Sequence, residues 1–291
     1  MLGEIRGEVR FKEPLSFHTS LRIGGPADIF VVPQDTEDIR HALMFADREQ
    51  LPVAVVGGGN NLLVRDRGIR GVVLKLEGCL GRAEIHGEEA VAGAGVSLSA
   101  LIREAAALNL GGIECLVGIP ATIGGALAMN AGSADGWIGD FVSAVYFLHP
   151  DGSFGEFKPS GAFGYRSFHA PAGAVLVGCR LRLQRRPLVD IQKDIKVRLK
   201  QKKSTQPLAL ASAGFVWKNP PGEVATRLIE KAGLRGKRLN GAEISAKHAN
   251  FIVNRGGACS ADILGLMDLT RDRVHSHFGV TLEPEIRVLG E

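Results

Sequence analysis

Ile29, Phe30, Val31 and Val32 form a short unbroken apolar run closed by Pro33, which predicts a buried strand. Ile39, Ala42, Leu43 and Ala46 then recur at helical spacing behind Asp35 or Thr36, either of which can cap the helix. The run 53–56 predicts a second short strand, and it feeds directly into Gly57-Gly58-Gly59-Asn60-Asn61. Further strands are expected over 71–76, 82–86 and 90–92. One amphipathic helix interrupts this series, with Ser97 as its cap, Leu98, Leu101, Ile102 and Ala105 inward and Gly111 as its stop. A strand over 142–149, a turn at Asp151-Gly152 and a partner over 154–157 predict a hairpin, and a long strand covers 174–183. Beyond it the pattern predicts a basic helix over about 189–203 and a helix near 222–233. A strand at 250–254 follows, then a helix from a Ser260 cap to Phe278 with Ile263, Leu266, Met267 and Val274 inward, and a final strand at 285–289.

Strands that follow one another closely with few helices between them predict an α+β fold rather than alternating βαβ units. The strand–glycine junction at 53–61 invites a dinucleotide-binding reading, but the third glycine of that fingerprint falls on Leu62. Arg65-Asp66-Arg67-Gly68 is moreover a turn where the helix should run. The proline and charges of Gln184-Arg185-Arg186-Pro187 break both periodicities, so the expected domains are 17–184 and 188–291.

With 291 residues and 45% hydrophobic content, the chain can build two real cores. A net charge of +4 and 6% aromatic residues give no basis for nucleic-acid binding. Cys79, Cys115, Cys179 and Cys259 form no CxxC pair, which argues against a zinc site or a disulfide framework. No run reaches the ~18–20 apolar residues of a membrane span, and the N-terminus lacks the apolar core of a signal peptide. A cytoplasmic protein without membrane insertion is expected, and no metal site is expected.

Three side-chain-poor runs lie in the first half: 57–61, Gly93-Ala94-Gly95 and 118–132. A chain omits side chains where its backbone must approach something closely, and three such runs suggest a long ligand with several polar sections. A flexible loop or a close helix crossing is the plain alternative for any one of them.

The order of motifs resembles the UDP-N-acetylenolpyruvoylglucosamine reductase family nearly end to end. His18-Thr-Ser-Leu-Arg-Ile-Gly-Gly-Pro-Ala resembles its opening motif. Gly57-Gly-Gly-Asn-Asn-Leu-Leu-Val and Gly118-Ile-Pro-Ala-Thr-Ile-Gly-Gly-Ala with Met129-Asn-Ala-Gly resemble its flavin segments. Gly164-Tyr-Arg resembles the segment with the catalytic arginine. Gln206-Pro, Lys218-Asn-Pro, Gly241-Ala-Glu-Ile-Ser-Ala-Lys-His-Ala-Asn and Pro284-Glu-Ile-Arg resemble its substrate domain. The length, with no inserted tyrosine loop, is similar to the shorter subtype. The resemblance implies an FAD-binding domain of the vanillyl-alcohol-oxidase type followed by a smaller substrate domain. It also implies FAD as cofactor, NADPH as co-substrate and UDP-N-acetylenolpyruvoylglucosamine as substrate. Hydride delivery to the enolpyruvyl methylene carbon leaves an enolate beside a carboxylate, which must be stabilised and protonated.

On that resemblance Arg166 and Glu285 are the catalytic candidates. A guanidinium fork suits two negative oxygens on one planar group better than an ammonium. The flavin candidates are Gly57, Gly58, Gly59, Asn60, Asn61, Gly118, Ile119, Thr122, Gly124, Gly125, Met129, Asn130 and Gly132. The substrate candidates are Tyr165, Lys203, Lys218, Asn219 and His248, with Lys202 and Gln206 nearby. Without the resemblance, Arg166 reads as a surface arginine, Glu285 as an exposed carboxylate paired with Arg287, and His248 as a satisfied core histidine. One position departs from the pattern. The family places a proton-donating serine where this chain has Phe215, in Ala213-Gly214-Phe215-Val216-Trp217-Lys218-Asn219-Pro220. Ser212, Ser167, Glu285 or a water would have to replace it, or the reaction would be slowed or lost. Ser167-Phe168, after Arg166, is a smaller departure.

Overall fold

A computed structural model describes residues 2–78 and 80–291; Cys79, one of the four scattered cysteines, lies outside the described residues. The chain forms two compact units. The first comprises the described residues up to Phe11 with Ile29–Gly58 and Gly71–Lys202, and the second comprises Lys12–Asp28, Gly59–Arg70 and Lys203–Glu291. Two segments from the first quarter of the sequence therefore belong with the C-terminal residues.

The first unit is built on an antiparallel five-stranded sheet in the order Phe154–Phe157, Val142–Leu148, Val175–Arg182, Glu89–Gly93, Ala83–His86. Val145, Phe147, Cys179 and Leu181 from one face of this sheet bury against Leu98, Leu101, Ile102 and Ala105 of helix Leu98–Ala107. These are the inward residues that the 3.6-residue period predicts. The 148–154 hairpin turns as expected, with His149 N–H donating to the Ser153 carbonyl at 2.9 Å. A parallel pair joins Val53–Val56 to Ile69–Lys75, in the register Val53 to Val72.

Caps decide where the helices begin. Asp35 caps helix Thr36–Arg48 by accepting from the N–H groups of Glu37 and Asp38. Ser97 stands at the start of helix Leu98–Ala107, but its hydroxyl bonds Ser99 Oγ at 2.9 Å and makes no cap. Gly111 is not the stop of that helix, whose C-cap is Leu108. Gly111 belongs to a short strand, Leu110–Gly111, that pairs with Gln184–Arg185. The 184–187 break is thus tied into the first unit, and Arg186 bridges Glu114 and Asp194, each at 2.9 Å.

The second unit pairs Ala211–Ser212, Ile252–Asn254, Ala242–Ile244 and Arg238–Leu239 in one antiparallel sheet. Helices Ala225–Lys231 and Ser260–Phe278 pack on it through Leu228, Ile229, Ile263, Leu266, Met267 and Val274, and Leu21, Ile23 and Leu63 complete this core. The last strand, Arg287–Leu289, runs parallel to Leu62–Val64. Ser260 does not cap its helix. Cys259 holds the cap position, with its N–H bonded to Asp262 Oδ2 at 3.0 Å, while Ser260 Oγ donates to Asp66 Oδ2 at 2.8 Å.

Asp38 is fully buried and accepts from the backbone N–H groups of Arg6, Gly7 and Gln34 at 3.0, 2.8 and 2.8 Å. Burial pushes its carboxyl up, but these three donors and the Arg6 guanidinium outweigh burial and hold it below the usual carboxylate value. Its contribution is therefore complete above the unfolded carboxyl value of about 4 and is lost as pH falls through the folded value. Asp38→Ala should lower stability at pH 7 by about 2–4 kcal/mol in urea melts and flatten the acid limb of the stability curve.

Candidate active site

The side-chain-poor runs of the first unit meet one another. A Cβ on Gly57 would lie 2.5 Å from Thr122 Oγ1, and one on Gly124 would lie 3.0 Å from Ala94 Cβ. These glycines thus let three backbone segments converge. Thr122 is buried, and its Oγ1 accepts from Gly125 N–H at 3.3 Å to start helix Ile123–Ala128. Gly125 stays exposed, with Ile119, Gly124 and Met129 half-buried around this stretch. No acidic side chain occurs between Gly118 and Gly132, so the polar groups of this stretch are mainly backbone amides.

Asn130 is buried in the left-handed region, at φ +40°. Its Nδ2 donates to the Gly164 carbonyl at 2.9 Å, and its Oδ1 accepts from Gly139 N–H at 3.0 Å. The carboxamide thereby holds a small hairpin in which Phe163 pairs with Phe168 and Gly164 with Ser167. Tyr165 and Arg166 are the two residues of its tip, and Arg166 has φ +54°. A left-handed arginine costs roughly 1–2 kcal/mol, so the surrounding contacts must hold it. The guanidinium carbon lies over the Trp137 ring, 5.1 Å from its centroid, and Tyr165 meets the same ring edge-on at 5.6 Å. Asn130, Trp137, Asp140, Phe163, Gly164 and Tyr165 line a cavity of about 440 Å³.

The basic helix places Lys202, and not Lys203, toward this region. Gly118 has φ +73°, and a Cβ there would lie 2.9 Å from Lys202 Cδ. Burial first, then the charges of Arg198 and Arg166, push the Lys202 ammonium down to about 8. Lys203 is exposed, and its carbonyl accepts from Lys247 Nζ at 2.6 Å. A period-3.6 reading identifies the helix but does not distinguish two adjacent lysines. The signal available was Gly118, whose missing side chain makes room for a neighbour's stem.

In the second unit Glu285 is half-buried and pinned through its backbone. Its N–H donates to the Val216 carbonyl at 2.7 Å, and its carbonyl accepts from Asn61 Nδ2 at 3.1 Å. Asn61 also accepts the Arg287 N–H at 2.9 Å, so it brackets Glu285. Asn250, the last residue of the 241–250 motif, is buried and bonds both backbone groups of Trp217, at 2.9 and 2.8 Å. Lys218 Nζ meets Glu283 Oε1 at 3.0 Å, and the Asn219 side chain accepts from Ala225 N–H at the start of a helix. Phe215 stacks on His248 at 5.0 Å and 18°, and both rings meet Phe251 edge-on. His248 Nδ1 is buried without a hydrogen bond, and burial holds its imidazole below the ordinary histidine value. Gly59, in the same unit, is buried at φ +66°, and Asn60 is half-buried.

Residues 206–289 match the family model described as UDP-N-acetylenolpyruvoylglucosamine reductase, C-terminal domain, and residues 27–157 match that of an FAD binding domain. A reductase of that name from Geobacter metallireducens is 42% identical over 290 residues, covering 99% of this chain and 96% of the relative. The chain belongs to the UDP-N-acetylenolpyruvoylglucosamine reductase family. A second member, from an Anaeromyxobacter species, is 44% identical and aligned over 99% of this chain and 90% of its own length. The crystal structure of the Thermus caldophilus enzyme superposes with a TM-score of 0.84 at 36% identity, covering 98% of this chain and all of that one. The resemblance read from the motifs is thus the family membership found, and the α+β, vanillyl-alcohol-oxidase-type expectation holds with it. Among the described residues no helix is long and apolar enough to cross a membrane.

A half-buried lysine beside two arginines is costly unless an anion meets it. At pH below about 8 its ammonium costs stability, and that cost is relieved as pH rises toward the free lysine value of about 10.4. Lys202→Gln should therefore leave thermal stability at pH 7 equal or higher. The gap between variant and wild type in thermal melts should shrink as pH rises above about 8.

Proposed function

We propose that this chain reduces UDP-N-acetylenolpyruvoylglucosamine to UDP-N-acetylmuramate, with FAD as cofactor and NADPH as reductant, in peptidoglycan precursor synthesis. The observation that carries this reading is Arg166, held in a left-handed conformation at a hairpin tip that Asn130 clamps from within. Strain of this kind persists at positions where a side chain must be presented in one direction. The fit of FAD rests on the first unit's converging segments. Gly57 closes on Thr122, Gly124 closes on Ala94, and Gly125 stays outward. Close-set backbone amides, in a stretch that has no acidic residue between Gly118 and Gly132, suit a diphosphate-bearing cofactor. Gly57, Gly58, Gly118, Gly125, Ile119 and Met129 are the residues of that unit we assign to it, with Gly59 and Asn60 beside them in the sequence. When bound, FAD supplies the hydride that NADPH provides.

Arg166 then neutralises the substrate carboxylate and the developing enolate oxygen. A rigid guanidinium fork does so with two parallel N–H groups, which an ammonium cannot match. Lys202 and Lys218 meet the anionic part of the nucleotide, and Tyr165 and His248 bound the substrate. Glu285 delivers the proton to the α-carbon. Its backbone is bonded to Val216, the residue after Phe215, and Phe215 itself has no exchangeable proton.

Phe215 also favours a second reading, a non-catalytic flavin and UDP-sugar binder that passes no hydride to the substrate. Its ring is committed to the His248 stack and offers the reaction nothing. The two readings part in one assay. Purified protein should be yellow, bleach with NADPH and regain colour within seconds on adding the enolpyruvyl substrate. Colour that stays bleached selects the second reading, and protein that takes up no flavin eliminates both. Arg166→Lys should lower kcat about 100-fold at unchanged flavin content. Glu285→Gln should cost ~10²–10⁴ in rate and should cost far less in a Phe215→Ser background, where the hydroxyl returns. An equal loss in both backgrounds would remove Glu285 from the proton step.

A further inference from the structure

Trp137 belongs to none of the motifs that carry the family resemblance, yet it is the ring on which Arg166 rests. We propose that Trp137 is a positioning residue for Arg166, presenting the guanidinium to a carboxylate in a single orientation. This rests on the reading of Arg166 as the catalytic arginine.

The guanidinium carbon lies 5.1 Å from the ring centroid, inside the ~6 Å reach of a cation–π contact, for which indole is the strongest partner. A ring face takes none of the in-plane N–H groups. The contact restrains the arginine through the face of its guanidinium. Trp137 is itself fixed from several directions. Its backbone N–H donates to Asp140 Oδ2 at 2.8 Å, and its strand pairs with Gly132. A Cβ on Gly132 would lie 2.6 Å from Trp137 Cα and 2.9 Å from Cε3, so Gly132 serves the close approach of this strand pair. Tyr165 stands edge-on to the same ring at 84°, from the hairpin tip that carries Arg166. The ring and the arginine thus belong to two short hairpins, and Asn130 joins the segments that carry them by bonding Gly139 and Gly164.

The test uses the FAD-loaded full chain with Trp137→Phe and Trp137→Leu. Ligand binding is followed by perturbation of the flavin absorbance, with two probes: the enolpyruvyl substrate, and UDP-N-acetylglucosamine, which has the nucleotide and sugar but no carboxylate. Trp137→Leu should weaken the carboxylate-bearing ligand about tenfold, lower kcat by at least as much and leave UDP-N-acetylglucosamine binding unchanged. Trp137→Phe should recover most of both losses. In an Arg166→Ala background, Trp137→Leu should have no further effect on either. Equal loss of both ligands, no loss at all, or an undiminished loss without Arg166 would each overturn the proposal. If Trp137→Leu retains no flavin, Trp137→Met, which keeps volume without a ring, takes its place. An Arg166→Ala enzyme with full turnover would instead overturn the underlying reading of the arginine.

Discussion

The first unit's site depends on one carboxamide. Asn130 accepts from Gly139 with its oxygen and donates to Gly164 with its nitrogen. An aspartate would set a negative oxygen against the Gly164 carbonyl, and a leucine would leave both backbone groups without this partner. The left-handed backbone of Asn130 is tolerated because its short polar side chain is among the few that visit that region readily. The geometry of Tyr165 and Arg166 follows from it, because a two-residue hairpin tip inherits its direction from the strands beneath. Asn130 is one of the flavin candidates, and its carboxamide atoms hold the frame in which the arginine sits.

The second unit repeats this solution with different residues. Asn250 bonds both backbone groups of Trp217, fixing the irregular segment that carries Phe215 and Lys218, and Asn61 brackets Glu285. Asparagine satisfies paired backbone donors and acceptors in places where no sheet ladder continues. Irregular backbone of this kind is what a binding surface requires, since ladders supply regular surfaces and loops supply specific ones. The cost is that each such asparagine is committed. Asn61 and Asn219, both assigned to ligands by motif, spend at least one polar group on the protein itself.

Much of the fold was legible because hydrophobic period fixes element type. Helices Thr36–Arg48, Leu98–Ala107 and Ser260–Phe278 bury the side chains the spacing names. Termini were less legible. Ser97 and Ser260 look like caps, but a hydroxyl is bonded elsewhere in each case, to Ser99 and to Asp66, and the second of these partners is 194 residues away in the sequence. The membership of Lys12–Asp28 and Gly59–Arg70 in the C-terminal unit was not legible either. Local patterning carries no information on which distant residues share a core, and Leu21, Ile23 and Leu63 are as apolar as any others. At the site, residue types were legible and orientation was not. The motif names a lysine pair, but only the bare backbone of Gly118 reveals that Lys202 is the one turned inward.

The cationic side of the first unit shows what this arrangement costs. Arg166, Arg198 and Lys202 share one region, and burial with mutual repulsion already weakens the proton on Lys202. Asp135 answers Arg198, while Trp137 answers Arg166 with a ring face that carries no net charge. Further carboxylates beside these cations would relieve that repulsion. They would also repel the diphosphate and the enolpyruvate that the family's substrate carries. A π face resolves the conflict, because it restrains a guanidinium without cancelling its charge. The site thus stays electropositive while the arginine is held in place, and the missing stability has to come from elsewhere, from the two asparagine clamps and the apolar cores beneath them.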